Sequence, residues 1–445
     1  MGNETLFSQK IFLLLIVGLL ITLLIDTSFV KIYDLVNKYF VPNQIKVLLF
    51  SINSSFCLLL GFFTIRYTYN SFKRQRLNKA LRANLLYIIP LISFAILGGL
   101  MGTIIFQLLF EQSYKTLTSQ IFSAISYGIA SIFIIRLSLL FASWYKLNHS
   151  LIVFLYFVSI SLIAFNLIMT IIITELKLTD RHEEILEYVG GSVDISTGRH
   201  VTIQDIYEGS IIASFFSIWV TTAILMNSYK ERLVNVIIYW ILLSVPLVYF
   251  IINFLFRFIL LHLLGPYLTT DPITVSIIST TFLSLSLPIG GLTFAIAFWK
   301  ISRLVSYEIN IRTYMIISGW GILLIFSANQ ATLQTLVPYP PFGLATLTVL
   351  IVASFLMLLG IYNSATLVSV NNILRNSIHK HALESKLLDL IGHAEMENEI
   401  QKTVRKIIQS RGDMEPEAKV GIELDEVELK RYLDLVIREV KKPDQ

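Results

Sequence analysis

The sequence predicts an all-α, polytopic helical membrane protein with about ten transmembrane helices, a small extracytoplasmic insert and a helical cytoplasmic tail. Apolar residues make up 55% of the 445 residues, and charged residues only 15%. Runs of 18 or more apolar residues recur along the chain, which is the length a helix needs to cross about 30 Å of hydrocarbon. Because backbone polar groups in lipid must be satisfied within their own segment, we assign these runs to helices.

The ten predicted spans follow from these runs and alternate across the membrane. The first is predicted to be an uncleaved signal anchor, because its apolar run is long and no A-x-A-like cleavage site closes it. The spans are Ile11 to Val30, Val47 to Tyr69, Leu85 to Phe110, Ile121 to Ala142, Leu151 to Thr174, Ser210 to Met226, Val234 to Leu264, Val275 to Trp299, Tyr314 to Ala331 and Leu344 to Val368.

The loop between the second and third spans sets the predicted orientation. It runs from Ser71 to Asn84 and holds five basic residues and no acidic one. Short basic loops remain on the cytoplasmic side of a membrane. With ten spans, both termini are then predicted to be cytoplasmic.

A polar interruption from Glu175 to Gly209 divides the chain into two five-helix halves, residues 1–174 and 210–370. The orientation places this insert outside the cell. Thr179 or Asp180 is suited to cap a short helix that ends at Tyr188. Two β-branched segments flank Thr197-Gly198 and predict a small hairpin.

The tail, residues 371–445, has a different composition from the rest of the chain. It carries 13 Lys and Arg against 15 Asp and Glu. A charged helix is expected to continue from the last span, with an interruption at Gly392 and a second segment from Glu395 to Ile408. A last amphipathic helix is expected from Asp425 to Val440, with its apolar residues on one face. Those residues are Leu429, Tyr432, Leu433, Val436, Ile437 and Val440.

This last helix predicts a protein partner. A helix of about 16 residues is marginally stable by itself in water, so its apolar face requires a covering surface. The partner is the first tail helix, a second copy of the chain or another protein. Membrane lipid is the other expected partner, and the charge distribution does not indicate nucleic-acid binding.

The tail run from Leu387 to Lys402 reads LLDLIGHAEMENEIQK. It resembles a segment that follows the last span in uncharacterised polytopic membrane proteins of ammonia-oxidising archaea. The resemblance covers mainly this run and the span before it. It implies an archaeal cell membrane and carries no activity over to this chain.

Charged residues inside spans are candidate functional groups, because placing a charge in hydrocarbon is costly. Arg136 lies in the fourth span, Arg257 in the outer part of the seventh, and Asp26 at a similar depth in the first. An ion pair between Arg257 and Asp26 is one hypothesis. For Arg136, pairing with carbonyls, water or lipid phosphate is the alternative to a functional role.

Helix-breaking residues mark a second candidate region. The eighth span contains Pro288, Gly290 and Gly291 near its middle, and the third contains Pro90 and Gly98 to Gly102. Interrupted helices at matching positions of two repeats are typical of a transporter's binding site. Close helix packing is the competing interpretation.

Catalytic and metal signatures are not found. The sequence contains no P-loop, no GxSxG and no HExxH, and the spacing of His182 and His200 matches no established zinc pattern. Cys57 is the only cysteine, so no intrachain disulfide can form. We therefore predict a non-enzymatic protein without cofactor or metal.

The leading interpretation is a sensor or receptor-like protein that couples its transmembrane bundle to a cytoplasmic partner through the C-terminal helices. The alternatives are a secondary transporter of two inverted five-helix repeats and an accessory subunit of a larger membrane complex. The accessory role predicts instability when the chain is expressed alone.

Overall fold

The computed structural model of the chain describes residues 2–38, 42–74, 81–187, 197–227, 236–259, 285–304, 309–329, 340–371, 374–375, 378 and 386–412. These ranges are almost wholly helical and contain no strand, which confirms the all-α class. Their long helices are α1 (Gly2–Lys38), α2 (Asn43–Arg74), α3 (Leu81–Phe110), α4 (Thr116–Asn148), α5 (Leu151–Glu187), α6 (Thr197–Asn227), α7 (Val236–Ile259), α8 (Ser286–Leu304), α9 (Ile309–Ala328), α10 (Leu344–Val370) and α11 (Lys386–Gly412).

Eight of these helices are long and apolar enough to cross a membrane. They are α1 to α6, α9 and α10. The predicted spans 234–264 and 275–299 are described only in part, by α7 and α8. Eight of the predicted spans therefore coincide with helices of sufficient length and apolar composition. The total of ten stays a prediction, as does the division into two five-helix halves.

The insert between α5 and α6 differs from its predicted form. The expected short helix is a continuation of α5 as far as Glu187. The predicted hairpin is wrong, because residues 199–203 lie inside α6. Ile203, Tyr207 and Ile211 recur every four residues and pack against Met169 and Ile173 of α5. This helical spacing outweighs the strand propensity of the β-branched residues.

Helix α10 lies at the centre of the bundle. Every residue from Leu344 to Ile361 is buried, and α1, α2, α3, α4, α9 and α11 all contact it. Gly321 of α9 allows one of the close approaches, since a Cβ there would lie 2.6 Å from the backbone nitrogen of Met357. An apolar helix that is buried on all sides is typical of a central core element.

The tail helix α11 packs against α4, α5 and α10. It runs without a break through Gly392, so the predicted interruption is wrong. A Cβ at Gly392 would lie 2.2 Å from Cγ1 of Val368, near the end of α10. The glycine therefore permits close contact between the two helices, and the buried residues Leu387, Leu388 and Ile391 enlarge it.

Candidate functional site

The first residues of α10 are capped by a side chain from another helix. Gly343 occupies the N-cap position with φ 92° and offers no side chain to the free N–H groups of the first turn. Asp26 of α1 supplies the missing acceptor. Its Oδ2 accepts hydrogen bonds from the Thr346 backbone N–H at 3.0 Å and from Thr346 Oγ1 at 2.7 Å. A carboxylate at this position also complements the helix dipole.

Other buried polar groups join α1, α2 and α10 around this cap. Asn53 Nδ2 donates to the Thr22 carbonyl at 3.2 Å. Cys57 Sγ lies 3.3 Å from Thr348 Oγ1 and donates to the Ala345 carbonyl at 3.4 Å. Asp26 is only 1% exposed. Among the described residues its Oδ1 atom has no hydrogen-bond partner.

Near the opposite end of α10, the tail helix α11 meets α4 through a second buried carboxyl group. Trp144 of α4 donates its indole N–H to Glu395 Oε2 at 2.8 Å, and both side chains are buried. Asn398 Nδ2 reaches the same oxygen at 3.4 Å. Asn148, the last residue of α4, donates from Nδ2 to the Leu390 carbonyl. The tail helix is therefore held by directional contacts as well as apolar packing.

Comparisons with known proteins do not identify a family for this chain. No family model, curated protein or solved structure matches the chain. Groups of three or more His, Cys, Asp or Glu residues that could hold a metal ion do not occur in the part of the chain that the structure describes.

The tail helix also carries an acid–base pair on its partly exposed side. His393 Nδ1 lies 3.1 Å from Asp389 Oδ1, one helical turn earlier, and 2.9 Å from the Asp389 carbonyl oxygen. The hydrogen bond to the Asp389 carboxylate raises the pKa of His393 above its ordinary value, and partial burial opposes this effect. A protonated His393 consequently stabilises the first turns of α11.

A third polar region joins α5, α6 and the end of α9, and we call it the α5–α6 seam. Asn166 Nδ2 donates to Ser210 Oγ at 2.8 Å, and Asn329 Nδ2 donates to Asn166 Oδ1 at 2.7 Å. About two turns away along α5, Ser159 Oγ lies 2.8 Å from Ser217 Oγ. Such bonds fix helix pairs inside membranes, at about 0.6 kcal/mol each.

The charged residues predicted as candidates fall in three different settings. Asp26 is bound to Thr346, as described above. Arg136 is exposed on the outside of α4. The backbone of Arg257 lies in α7, but its side chain is outside the described residues, so the proposed pair with Asp26 stays a prediction.

The predicted hinge residues lie at the beginning of α8. Pro288 stands in the first turn, where its missing N–H removes no helical hydrogen bond. A Cβ at Gly290 would lie 2.2 Å from the Phe215 ring, and one at Gly291 would lie 2.8 Å from Phe326 Cβ. This geometry supports close packing at both positions, and a hinge role stays a prediction.

Sequence reasoning missed Trp144, Glu395 and Thr346. The six apolar tail residues from Leu429 to Val440 lie outside the described residues, so their role stays a prediction. One signal for Thr346 was available. A Pro-Pro-Phe-Gly sequence directly before an apolar run marks a helix start whose cap residue, Gly343, has no side chain. Such a helix needs an acceptor from elsewhere, and Asp26 is an acidic residue of suitable depth.

Proposed function

We propose that the protein is a non-enzymatic, sensor or receptor-like membrane protein of ten spans with both termini in the cytoplasm. Its tail engages a cytoplasmic partner or a second copy of the chain. An archaeal cell membrane, which the tail resemblance implies, is part of this proposal. The observation that carries it is the docking of α11 against the bundle through the buried Trp144–Glu395 hydrogen bond.

Helix α10 supplies the physical link between the two faces of the bundle. Its first turn is bound by Asp26, and its last turns contact α11 at Val368. A rigid helix that is packed on all sides moves as a unit, so a change at one end alters the contacts at the other. The tail helix is then the element whose position reports the state of the bundle.

The docking is tested by distance measurements on the intact chain. Cys57 is replaced by Ser, and spin labels are attached at Leu151→Cys and Thr403→Cys, two exposed positions on α5 and α11. We expect one narrow distance distribution. Trp144→Phe keeps an aromatic ring but removes the donor, and a hydrogen bond to a charged group is worth about 2 kcal/mol. The distribution should therefore broaden toward longer distances.

Trp219→Phe is the matched control. Trp219 also donates its indole N–H, at 2.8 Å, but it lies on α6 and its acceptor is the Leu243 carbonyl of α7. Its loss should leave the label distances unchanged. Equal broadening in both variants would show that the tail is not held at Trp144, and the proposal would lose its supporting observation.

The partner is tested by deleting Asp425 to Gln445. Because this segment carries the predicted apolar face, we expect loss of partner recovery with normal membrane insertion. Light scattering of the purified chain in detergent distinguishes self-association from a separate protein. Unchanged recovery and an unchanged oligomeric state would together refute the role assigned to the last helix.

The α5–α6 seam favours a second candidate function, a secondary transporter. Polar groups inside membrane bundles often line solute pathways. Asn166→Leu removes the seam's central amide while keeping a side chain of similar size. A transporter predicts that this variant folds but loses solute exchange in liposomes. A purely structural seam predicts a lower melting temperature as the main effect.

A further inference from the structure

The buried cap at the start of α10 contains an oxygen atom whose surroundings do not match an ionised carboxylate. The two hydrogen bonds from Thr346 both fall on Oδ2, and the Gly343 backbone N–H also faces the carboxyl group. Oδ1 is buried and has no partner among the described residues. A buried carboxylate oxygen that keeps its charge without a donor is strongly disfavoured, because the lost hydration is not replaced.

Ser54 shows the same deficit on the neighbouring helix. Its Oγ is fully buried and likewise lacks a hydrogen-bond partner within the described ranges. Ser54 lies one turn before Cys57 on the face of α2 that contacts α10. Two buried oxygens without a described donor thus lie on α1 and α2, the helices that meet α10 here, and a small species bound to either would satisfy it.

We propose that Asp26 is a proton-binding site and that a proton is the signal to which this bundle responds. A proton on Oδ1 removes the uncompensated charge and leaves both acceptor bonds on Oδ2 in place. This proposal rests on the proposed sensor function, since it names the ligand of the capped end of α10.

A metal cation fits the site less well than a proton. A hard cation requires about six oxygen ligands, and the described residues present no group of carboxylate, His or Cys ligands here. Protonation is the change that requires no further ligand.

Few other titratable groups face Asp26. On the half of α2 that packs against this junction they are Cys57, which contacts Thr348, and Lys46, whose ammonium lies 3.5 Å from Asn43 Oδ1. The facing stretches of α10 (344–350) and α9 (321–328) contain no titratable side chain. Among the described residues, a titration at this junction is therefore attributable to Asp26 once Cys57 is replaced by Ser.

Protonation changes how firmly α10 is held. An ionised carboxylate forms charge-assisted bonds to the Thr346 N–H and hydroxyl, which are stronger than the bonds to a neutral acid. Rising proton concentration thus weakens the contact between α1 and the first turn of α10. Through α10, this change reaches the Val368–Gly392 contact with the tail helix.

Infrared difference spectroscopy of the full-length protein in liposomes tests the proton site. Spectra are recorded from about pH 3 to about pH 9, which brackets the ordinary pKa values of carboxyl groups. The wild-type spectra minus those of Asp26→Asn isolate Asp26, because the other Asp and Glu residues titrate in both proteins. A protonated carboxyl C=O band should remain in this difference at low pH and be lost at high pH. A difference without this band at every pH, as an Asp26–Arg257 ion pair would produce, overturns the proposal.

Two threonine variants keep the test valid if Asp26→Asn does not fold. Thr346→Val removes one donor to the carboxylate, so the midpoint of the band should move to higher pH. Thr348→Val is the matched control, because its hydroxyl donates to the Ala345 carbonyl and does not touch Asp26. Equal shifts in both variants, or no shift in Thr346→Val, would overturn the assignment.

The Leu151 and Thr403 spin labels separate this proposal from the sensor function. If the band titrates and the label distance changes over the same pH range, both stand. If the band titrates while the distance stays constant in wild type and Asp26→Asn alike, the proton site stands and the coupling to the tail fails. If only the distance changes, the proton acts elsewhere and the assignment to Asp26 is overturned.

Discussion

Two glycine groups that look alike in the sequence have opposite surroundings in the structure. Gly290 and Gly291 of α8 lie against Phe215 and Phe326, at distances that leave no space for a Cβ. Gly98, Gly99 and Gly102 of α3 have no atom of another described helix within 4 Å of an ideal Cβ. The same residue type thus permits close packing in one helix and faces open space in the other.

The difference extends to the helices that carry these glycines. The most apolar window is wholly buried in α10 and 78% buried in α9, but only 33% buried in α3. Gly99 and Gly102 line a surface groove of about 460 Å³ together with Thr103, Phe106, Gln107 and Glu111. A glycine motif therefore identifies a close contact only when a neighbouring helix supplies the group that fills its notch.

The largest effect is expected at a third closely packed glycine, in the variant Gly321→Ala of α9. The new Cβ would lie 2.6 Å from the Met357 nitrogen and 2.9 Å from the Ala353 oxygen, and both are backbone atoms of the central helix. Rotamer changes cannot relieve this clash, so α9 and α10 must separate. We expect a loss of about 3 kcal/mol, measured as a lower temperature for heat-induced loss of monodisperse protein in detergent.

Gly128→Ala in α4 is the control for this change. Gly128 is also helical, and no described atom lies within 4 Å of its ideal Cβ. Its melting temperature should equal that of the wild type. If both variants melt alike, the described α9–α10 contact is not the one that stabilises the bundle.

Gly290→Ala should have the next largest effect. The obstacle here is the ring of Phe215, which stacks on Phe250 with centroids 4.0 Å apart and contacts Phe294 and Phe326 edge-on. A side chain can adjust more easily than a backbone, so we expect a loss of about 2 kcal/mol. The same heating assay measures it.

A second substitution sharpens this result. Phe215→Leu in the Gly290→Ala background removes the ring that the new methyl group meets, so part of the lost stability should return. Failure of the pair to recover any stability would mean that Gly290 is needed for helix bending, as the hinge hypothesis requires.

Sequence reasoning succeeded where the cause was local. The apolar runs located the candidate spans to within a few residues, because span length follows from bilayer thickness. It also singled out Asp26, since a charge in a span is costly. It missed the partner of Asp26, because Thr346 lies 320 residues away in the chain. It misjudged Gly392 because the reason for that glycine is contact with Val368, which chain position does not reveal.

The tail helix offers a smaller, pH-dependent effect. The Asp389 carboxylate raises the pKa of His393 above 6.5, so the pair contributes its full stability below about pH 6.5 and loses it as the pH rises through the raised value. For a pair of this kind on one helix we expect about 0.5 kcal/mol. The melting temperatures of wild type and Asp389→Asn should therefore differ most at low pH and converge as the pH rises.

Ring-proton NMR gives the corresponding measurement at the residue itself. In the wild type, His393 should titrate at a higher pH than in Asp389→Asn. Asn has nearly the same size as Asp, and the substitution removes the charge that faces His393, so the variant should keep α11 docked. A His393 titration that is the same in both proteins would contradict the pairing.

The smallest expected effect is that of Gly99→Ala in α3, and it tests the other half of the comparison. The methyl group would enter the open groove and meet no described atom. Alanine is the better helix former, so stability should stay within about 0.5 kcal/mol of the wild type or rise slightly. The heating assay in detergent is suited to this test, because detergent fills the groove without specific contacts. A marked loss of stability would show that the α3 glycines are covered in the folded protein. Both glycine groups would then serve close packing, and the difference between α3 and α8 would not hold.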